Sequence, residues 1–220
     1  TSDAPAAPYD RGYVAGHLAQ ALLAASTGAE NDAEVEGLVR SEMTGTDVGA
    51  SLNRAYVWVD LATRRAFVRG DVTGGEAALA EAERENLVHR EASARAGHAD
   101  LDCHYVLHAR FAFAEGVHGD SEGGRRVAAQ IRVVKAQTAA AERTTDPTSR
   151  DTFLADGIEF EAGAELLAER RGDRADLELA RARLAQALPL RAAAGNPQGC
   201  LLYTPPSPRD RTRSRMPSSA

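Results

Sequence analysis

The stretch "HADLDCHYVLHAR" holds the chain's densest set of metal-ligating side chains: His98, Asp100, Asp102, Cys103, His104 and His108. His104 and His108 stand at i, i+4, a spacing that puts two imidazoles on one helix face, where they can share zinc or a similar divalent ion. On a continuous helix turning about 100° per residue, His98 and Asp102 project to a face roughly 120° away, and Cys103 points between the two. The six cannot converge on one ion. His104 and His108 remain as weak metal candidates that need a third ligand from another helix. The expectation is that they are ordinary helix residues and that the chain carries no metal or other cofactor.

A second pattern, G-D-x-x-G-G, occurs at Gly70-Asp71 and again at Gly119-Asp120. Paired glycines opening a helix can present unpaired N–H groups to a phosphate. Here Asp71 and Asp120 put a carboxylate where the phosphate would sit, and no Lys follows in the loop. A structural turn is the expected role. No serine or cysteine sits in a recognisable nucleophile elbow, and runs such as "AEAERENLVHREASARA" have the spacing of solvated i, i+4 ion pairs on exposed helix faces. Catalysis is not expected, although a metal-dependent enzyme using His104 and His108 stays as an alternative. Trp58, the only tryptophan, is expected as a core anchor between helices.

The two Gly-Asp turns belong to a longer likeness. "YVWVDLATRRAFVRGDVTGG" from Tyr56 aligns without gaps on "YVLHARFAFAEGVHGDSEGG" from Tyr105, an offset of 49 residues, and a fixed offset signals an internal repeat. Another copy turns at Gly172-Asp173 without the double glycine, and a weaker one turns near residue 28, in "STGAEND". Helical periodicity surrounds these turns. Leu52, Ala55, Tyr56, Val59, Ala62 and Ala66 fall on one stripe before the first Gly-Asp, as do Phe153, Phe160, Ala164 and Leu167 before the third. Val127, Ile131 and Val134 follow one turn, and Ala180, Leu184 and Ala187 follow another. Each unit therefore reads as helix, tight turn, helix. Gly ends the first helix in a left-handed conformation, and Asp can cap the second.

The small-large-small order of Ala180, Leu184 and Ala187 in "LELARARLAQAL" resembles the second helix of tetratricopeptide repeats. "LPLRAAAGNPQG" is similar to repeat ends in the tetratricopeptide segments of multidomain bacterial regulators and signal-transduction ATPases. The resemblance is strongest over residues 150–199 and looser over residues 50–149. The slots of the family's Trp, Leu, Gly and Tyr signature hold Val59, Ala62, Thr63 and Ala66 here, and the period is nearer about 50 residues than about 34. The likeness is thus to a repeat with lengthened helices. It implies an α-solenoid of helical hairpins whose concave face binds peptides or proteins.

Composition points the same way. Of 220 residues 43% are apolar but only 5% aromatic, and Ala with Leu, Glu and Arg favours packed helices over sheets. An all-α domain over residues 1–199 is expected. Residues 200–220 carry four Arg and one Asp, so the preceding 199 residues hold about nine of the negative charges in excess. Such a body repels phosphate, which argues against nucleic acid as a partner. "YVAGHLAQALLAA" is interrupted by His17 and Gln20 and reads as neither signal peptide nor membrane span. Two cysteines, Cys103 and Cys200, form no disulfide framework, which suggests a reducing, cytoplasmic setting.

The closing run "GCLLYTPPSPRDRTRSRMPSSA" resembles a translated sequencing-library adapter, through Cys200 to Thr204, Pro206 to Asp210 and Ser214 to Ala220, with Pro205 departing from the usual Ser. Residues 200–220 are expected to be non-native or disordered, with the biological sequence ending near Gly199. The expected function is a protein- or peptide-binding scaffold, part of a larger regulatory or signalling protein. Self-association through open repeat ends is a further alternative, because an uncapped stack of hairpins exposes an apolar end.

Overall fold

The computed structural model describes residues 8–25, 28–97, 102–142 and 147–195. Among these residues every regular element is helical: α1 Pro8–Ala25, α2 Asp32–Ser41, α3 Val48–Thr63, α4 Val72–Arg95, α5 His104–Ala112, α6 Ser121–Glu142, α7 Pro147–Arg171 and α8 Leu177–Ala193. Among the described residues the fold is all-α, and no helix is long and apolar enough to cross a membrane. The 200–220 segment and the 199/200 boundary lie outside the described residues. The chain divides into two compact units, Thr1–Val134 and Lys135–Ala220, with the division falling inside α6.

The first unit is built around α3, which packs against α1 on one side, α5 on another and α4 behind. That burial on several sides explains its composition. Ala55, Val57, Trp58, Leu61 and Ala62 are all buried, on an arc of about 160° at about 100° per residue, and Leu52 and Val59 pack against the core beside it. The single stripe read from the sequence is therefore only part of its core face. Val35 and Val39 of α2, Leu23 of α1 and Val106 of α5 complete the same core. Trp58 is 3% exposed within it, with the Arg40 guanidinium 5.1 Å from the ring centre.

The turns after α3 and α5 are the same irregular structure. Each helix continues into a wider π-helical turn, Arg64–Val68 and Phe113–Val117, in which Arg69 N–H donates to Arg64 C=O and His118 N–H to Phe113 C=O. Gly70 and Gly119 follow with φ of +73° and +62°, a conformation glycine enters without a Cβ penalty. Asp71 N–H and Asp120 N–H then reach back six residues, to Arg65 C=O and Ala114 C=O, each at 2.8 Å. The turn after α7 is tighter. Gly172, φ +80°, donates to Glu169 C=O, and Asp173 N–H donates to Ala168 C=O, the pattern of a Schellman ending on an ordinary α-helix.

The other members of G-D-x-x-G-G have separate jobs. The carboxylates of Asp71 and Asp120 accept from the N–H of Gly74 and Gly123, at 2.9 and 2.8 Å, so each caps the helix that follows. The second glycine of each pair is where that helix touches the one before it. A Cβ on Gly75 would lie 2.8 Å from Ala66 Cβ and 3.0 Å from Ala62 O, and one on Gly124 would run into the Glu115 carboxylate. The third turn lacks the glycine pair. Its cap is Asp176, which accepts from Leu179 N–H at 2.8 Å; Asp173 instead meets Arg171 Nε at 3.3 Å.

In the second unit α7 and α8 form an antiparallel pair whose buried contacts are mostly alanine: Ala155, Ala162, Ala164 and Ala168 with Ala180 and Ala187. Small side chains let helix axes approach closely. The larger Phe153, Phe160, Leu167 and Leu184 of the expected stripes are only partly buried. An ionic cluster adds to the pair: Arg191 binds Asp156 and Glu159, and Lys135 reaches Asp156 at 3.1 Å while lying 4.9 Å from the Phe153 ring centre. Hydrogen bonds to Glu159, working against burial and joined by those to Asp156, hold the Arg191 guanidinium firmly protonated.

Candidate binding groove

The segment between α2 and α3 does not hang free over the surface, because α3 holds it. Arg54, 8% exposed, donates from Nη1 to Met43 C=O at 2.6 Å and to Gly45 C=O at 2.5 Å. Its Nε meets Glu85 of α4 at 2.8 Å, so the buried guanidinium is charge-matched as well as hydrogen-bonded. Asp47 fixes the other end by capping α3 through Ala50 N–H at 3.0 Å. Met43 is pulled inward to 2% exposure.

Two hollows open along α1 beside this loop. One, of about 130 Å³, is lined by Tyr13, Glu42, Met43, Asp47 and Asn53 among others. The next, of about 170 Å³, is lined by Tyr13, His17, Gln20, Asn53 and Tyr56. Tyr13 and Asn53 belong to both, so they form one groove between α1 and α3. Tyr13 is 49% exposed and meets the His17 ring edge-on at 4.3 Å.

Beyond Tyr56 an aromatic ridge crosses to α5. The Tyr56 and Tyr105 rings lie 3.9 Å apart, and these are the residues that open the two aligned copies. His104 stands 3.9 Å from the Tyr105 ring and 5.5 Å from His108. The structure thus brings His104 and His108 together, but as members of an aromatic cluster. Among the described residues no group of three His, Cys, Asp or Glu is placed to hold a metal ion. One turn beyond Tyr56 on α3, burial pushes the Asp60 carboxyl up from its ordinary value, against the opposite pull of Arg64.

The rest of the "HADLDCHYVLHAR" stretch is arranged differently from a continuous helix. α4 ends at Arg95 and α5 begins only at His104; His98 and Asp100 lie outside the described residues. Asn86 of α4, 8% exposed, donates to Asp102 at 2.8 Å and accepts from Cys103 N–H at 2.6 Å, which fixes the entry into α5. Burial pushes the Cys103 thiol up, with nearby backbone N–H groups opposing. A buried thiol with a raised pKa is a poor nucleophile.

Sequence reasoning passed over the groove itself. Tyr13, Asn53, Glu42 and Asp47 come from three different elements, and nothing in their spacing joins them. The aligned tyrosines were the available signal, since equivalent residues of stacked repeats become neighbours. Comparison with family models, with curated proteins and with solved structures finds no match to the chain.

Proposed function

We propose that this chain is a tetratricopeptide-like helical-repeat scaffold that takes a protein or peptide partner in the α1–α3 groove and along the ridge leading to α5. The observation that carries the reading is the contact between Tyr56 and Tyr105 at 3.9 Å. Repeat-equivalent side chains on the first helices of successive hairpins stack into a continuous surface, as expected of a solenoid. Tyrosines are suited to such a surface, because they give large contact area at small entropic cost and keep a polar tip. The similarity of residues 150–199 to the repeats of bacterial regulators extends the reading to an interaction segment of a regulatory or signalling protein.

The test is selection of random peptides displayed on phage against the immobilised full chain, followed by binding of the enriched peptides to Tyr13→Ala. Tyr13 is half exposed, so its truncation leaves the core in place. Enriched peptides should lose about tenfold or more in affinity, the scale of a contact-surface tyrosine. Peptides that bind the variant as well as the parent chain, or no enrichment at all, would refute the groove.

A further inference from the structure

Helix α1 stays apolar on a side that the first unit leaves exposed. Ala15, Ala19 and Leu23 form its buried stripe, where it packs against α2 and α3, and Tyr13, Gly16, His17 and Gln20 line the groove. Val14, Leu18, Ala21 and Ala25 form a third face, about 120° from the groove side and about 130° from the buried stripe at about 100° per residue. All four are exposed, Val14 to 62% and Leu18 to 45%. A surface helix normally turns charge to the solvent, and 26% of this chain is charged, yet no Asp, Glu, Lys or Arg occurs between Gly12 and Ala25. The solvent side of α1 is composed like a buried one.

The four residues are separated by steps of four, three and four, the spacing of a seam along which two helices interlock. The seam is bulky in its first half and small in its second. Turned end over end it fits itself: Val14 of each copy lies over Ala25 of the other, and Leu18 over Ala21. Every layer then pairs a large side chain with a methyl, and the two axes stay evenly close. A twofold axis between residues 19 and 20 builds all four layers from one helix. Charge favours the same occupant, because a net charge of −6 holds two copies apart except where a face carries none. We propose that the chain forms a weak twofold dimer through antiparallel α1 helices packed along Val14, Leu18, Ala21 and Ala25. An 18-residue helix is about 27 Å long and about 10 Å wide, so the seam with its flanks covers on the order of 500 Å² on each copy. That is the lower bound of a specific interface, and it sets the dissociation constant on the order of tens of micromolar. The dimer uses a different side of α1 from the groove, so either can fail without the other.

Sedimentation equilibrium of the full chain, at concentrations on both sides of that constant, reads the pairing. The mass should rise from one copy toward two. Ala21→Glu keeps the helix, since the position is exposed and Glu is a good helix former, but it sets a carboxylate against Leu18 of the other copy twice in each dimer. Its dissociation constant should weaken by at least about tenfold. Register is read by oxidising chains that carry Cys200→Ser and keep the buried Cys103. Val14→Cys and Ala25→Cys chains should cross-link when mixed, and neither should cross-link alone, because like positions lie about 16 Å apart in the antiparallel pair. A parent chain that stays single at every concentration, or an Ala21→Glu chain that pairs as the parent does, overturns the α1 seam. Masses that pass two copies, a mixture that fails to cross-link, or either variant cross-linking by itself overturns the antiparallel twofold.

Discussion

Replacing Gly75 and Gly37 by alanine, one at a time, should move stability in opposite directions. Both are helix-interior glycines of the first unit, at α4 and α2, and in an open helix the change gains about 1 kcal/mol by propensity alone. At Gly37 nothing lies within 4 Å of a new Cβ, so that gain should appear nearly whole. At Gly75 the new methyl would stand 2.8 Å from Ala66 Cβ, 3.0 Å from Ala62 O and 3.1 Å from Ala66 N. Two of those three atoms are backbone and cannot swing aside, so α4 must move off α3 at an overpacking cost of about 1–3 kcal/mol. The net for Gly75→Ala is then a loss of up to about 2 kcal/mol, and the two variants should differ by about 1–3 kcal/mol. Urea unfolding followed by far-ultraviolet circular dichroism measures both, with a change in midpoint at constant slope as the signature. If Gly75→Ala is stabilised as much as Gly37→Ala, the double glycine is not a helix-contact device and the account of the turn fails.

Arg54→Met should cost about 3 kcal/mol or more, because it leaves Glu85 and two loop carbonyls without their partner, and it should abolish Tyr13-dependent peptide binding by releasing the loop. In a chain carrying Cys200→Ser, Cys103 should react with a maleimide only as fast as the protein unfolds; rapid labelling of the native state would contradict its burial at 2% exposure. Glu81 ionises more readily than its ordinary value of 4.5 because, although burial opposes it, Arg84 and Arg40 hydrogen-bond its carboxylate. Its contribution is therefore full above that value and lost as the pH falls through the lower folded one. Glu81→Gln should flatten this acid limb of the stability profile and leave the neutral range sloped as before.

The sequence disclosed the parts of this fold that have local chemical signatures. Glycine at a positive φ followed by a capping aspartate is such a signature, and Gly70-Asp71 and Gly119-Asp120 could be read as turns from it. The π-helical width of those turns could not, because hydrogen bonds five or six residues back need no particular side chain. Arg54 is one guanidinium among 25 until α3 is seen lying under the loop. The faces of α3 were blurred for a related reason: a helix packed on several sides has no single apolar stripe for a period of about 3.6 residues to reveal. The way α5 is entered was hidden because Asn86, which holds that entry, is 17 residues from Cys103. The groove is the extreme case, since it exists only where α1, the loop and α3 meet.

The two π-helical turns also write the repeat into the backbone itself. Arg64–Val68 and Phe113–Val117 share their widened geometry at the same 49-residue offset as the tyrosines and the glycine pairs, down to the hydrogen bonds that span six residues. A widened turn is a rare state of a helix, and two of them at one register tie the aligned stretches together in the backbone as well as in the side chains. The widening thus accompanies the aligned stretches, as one local backbone geometry present in both. The turn after α7, with its ordinary Schellman ending, does not share that geometry.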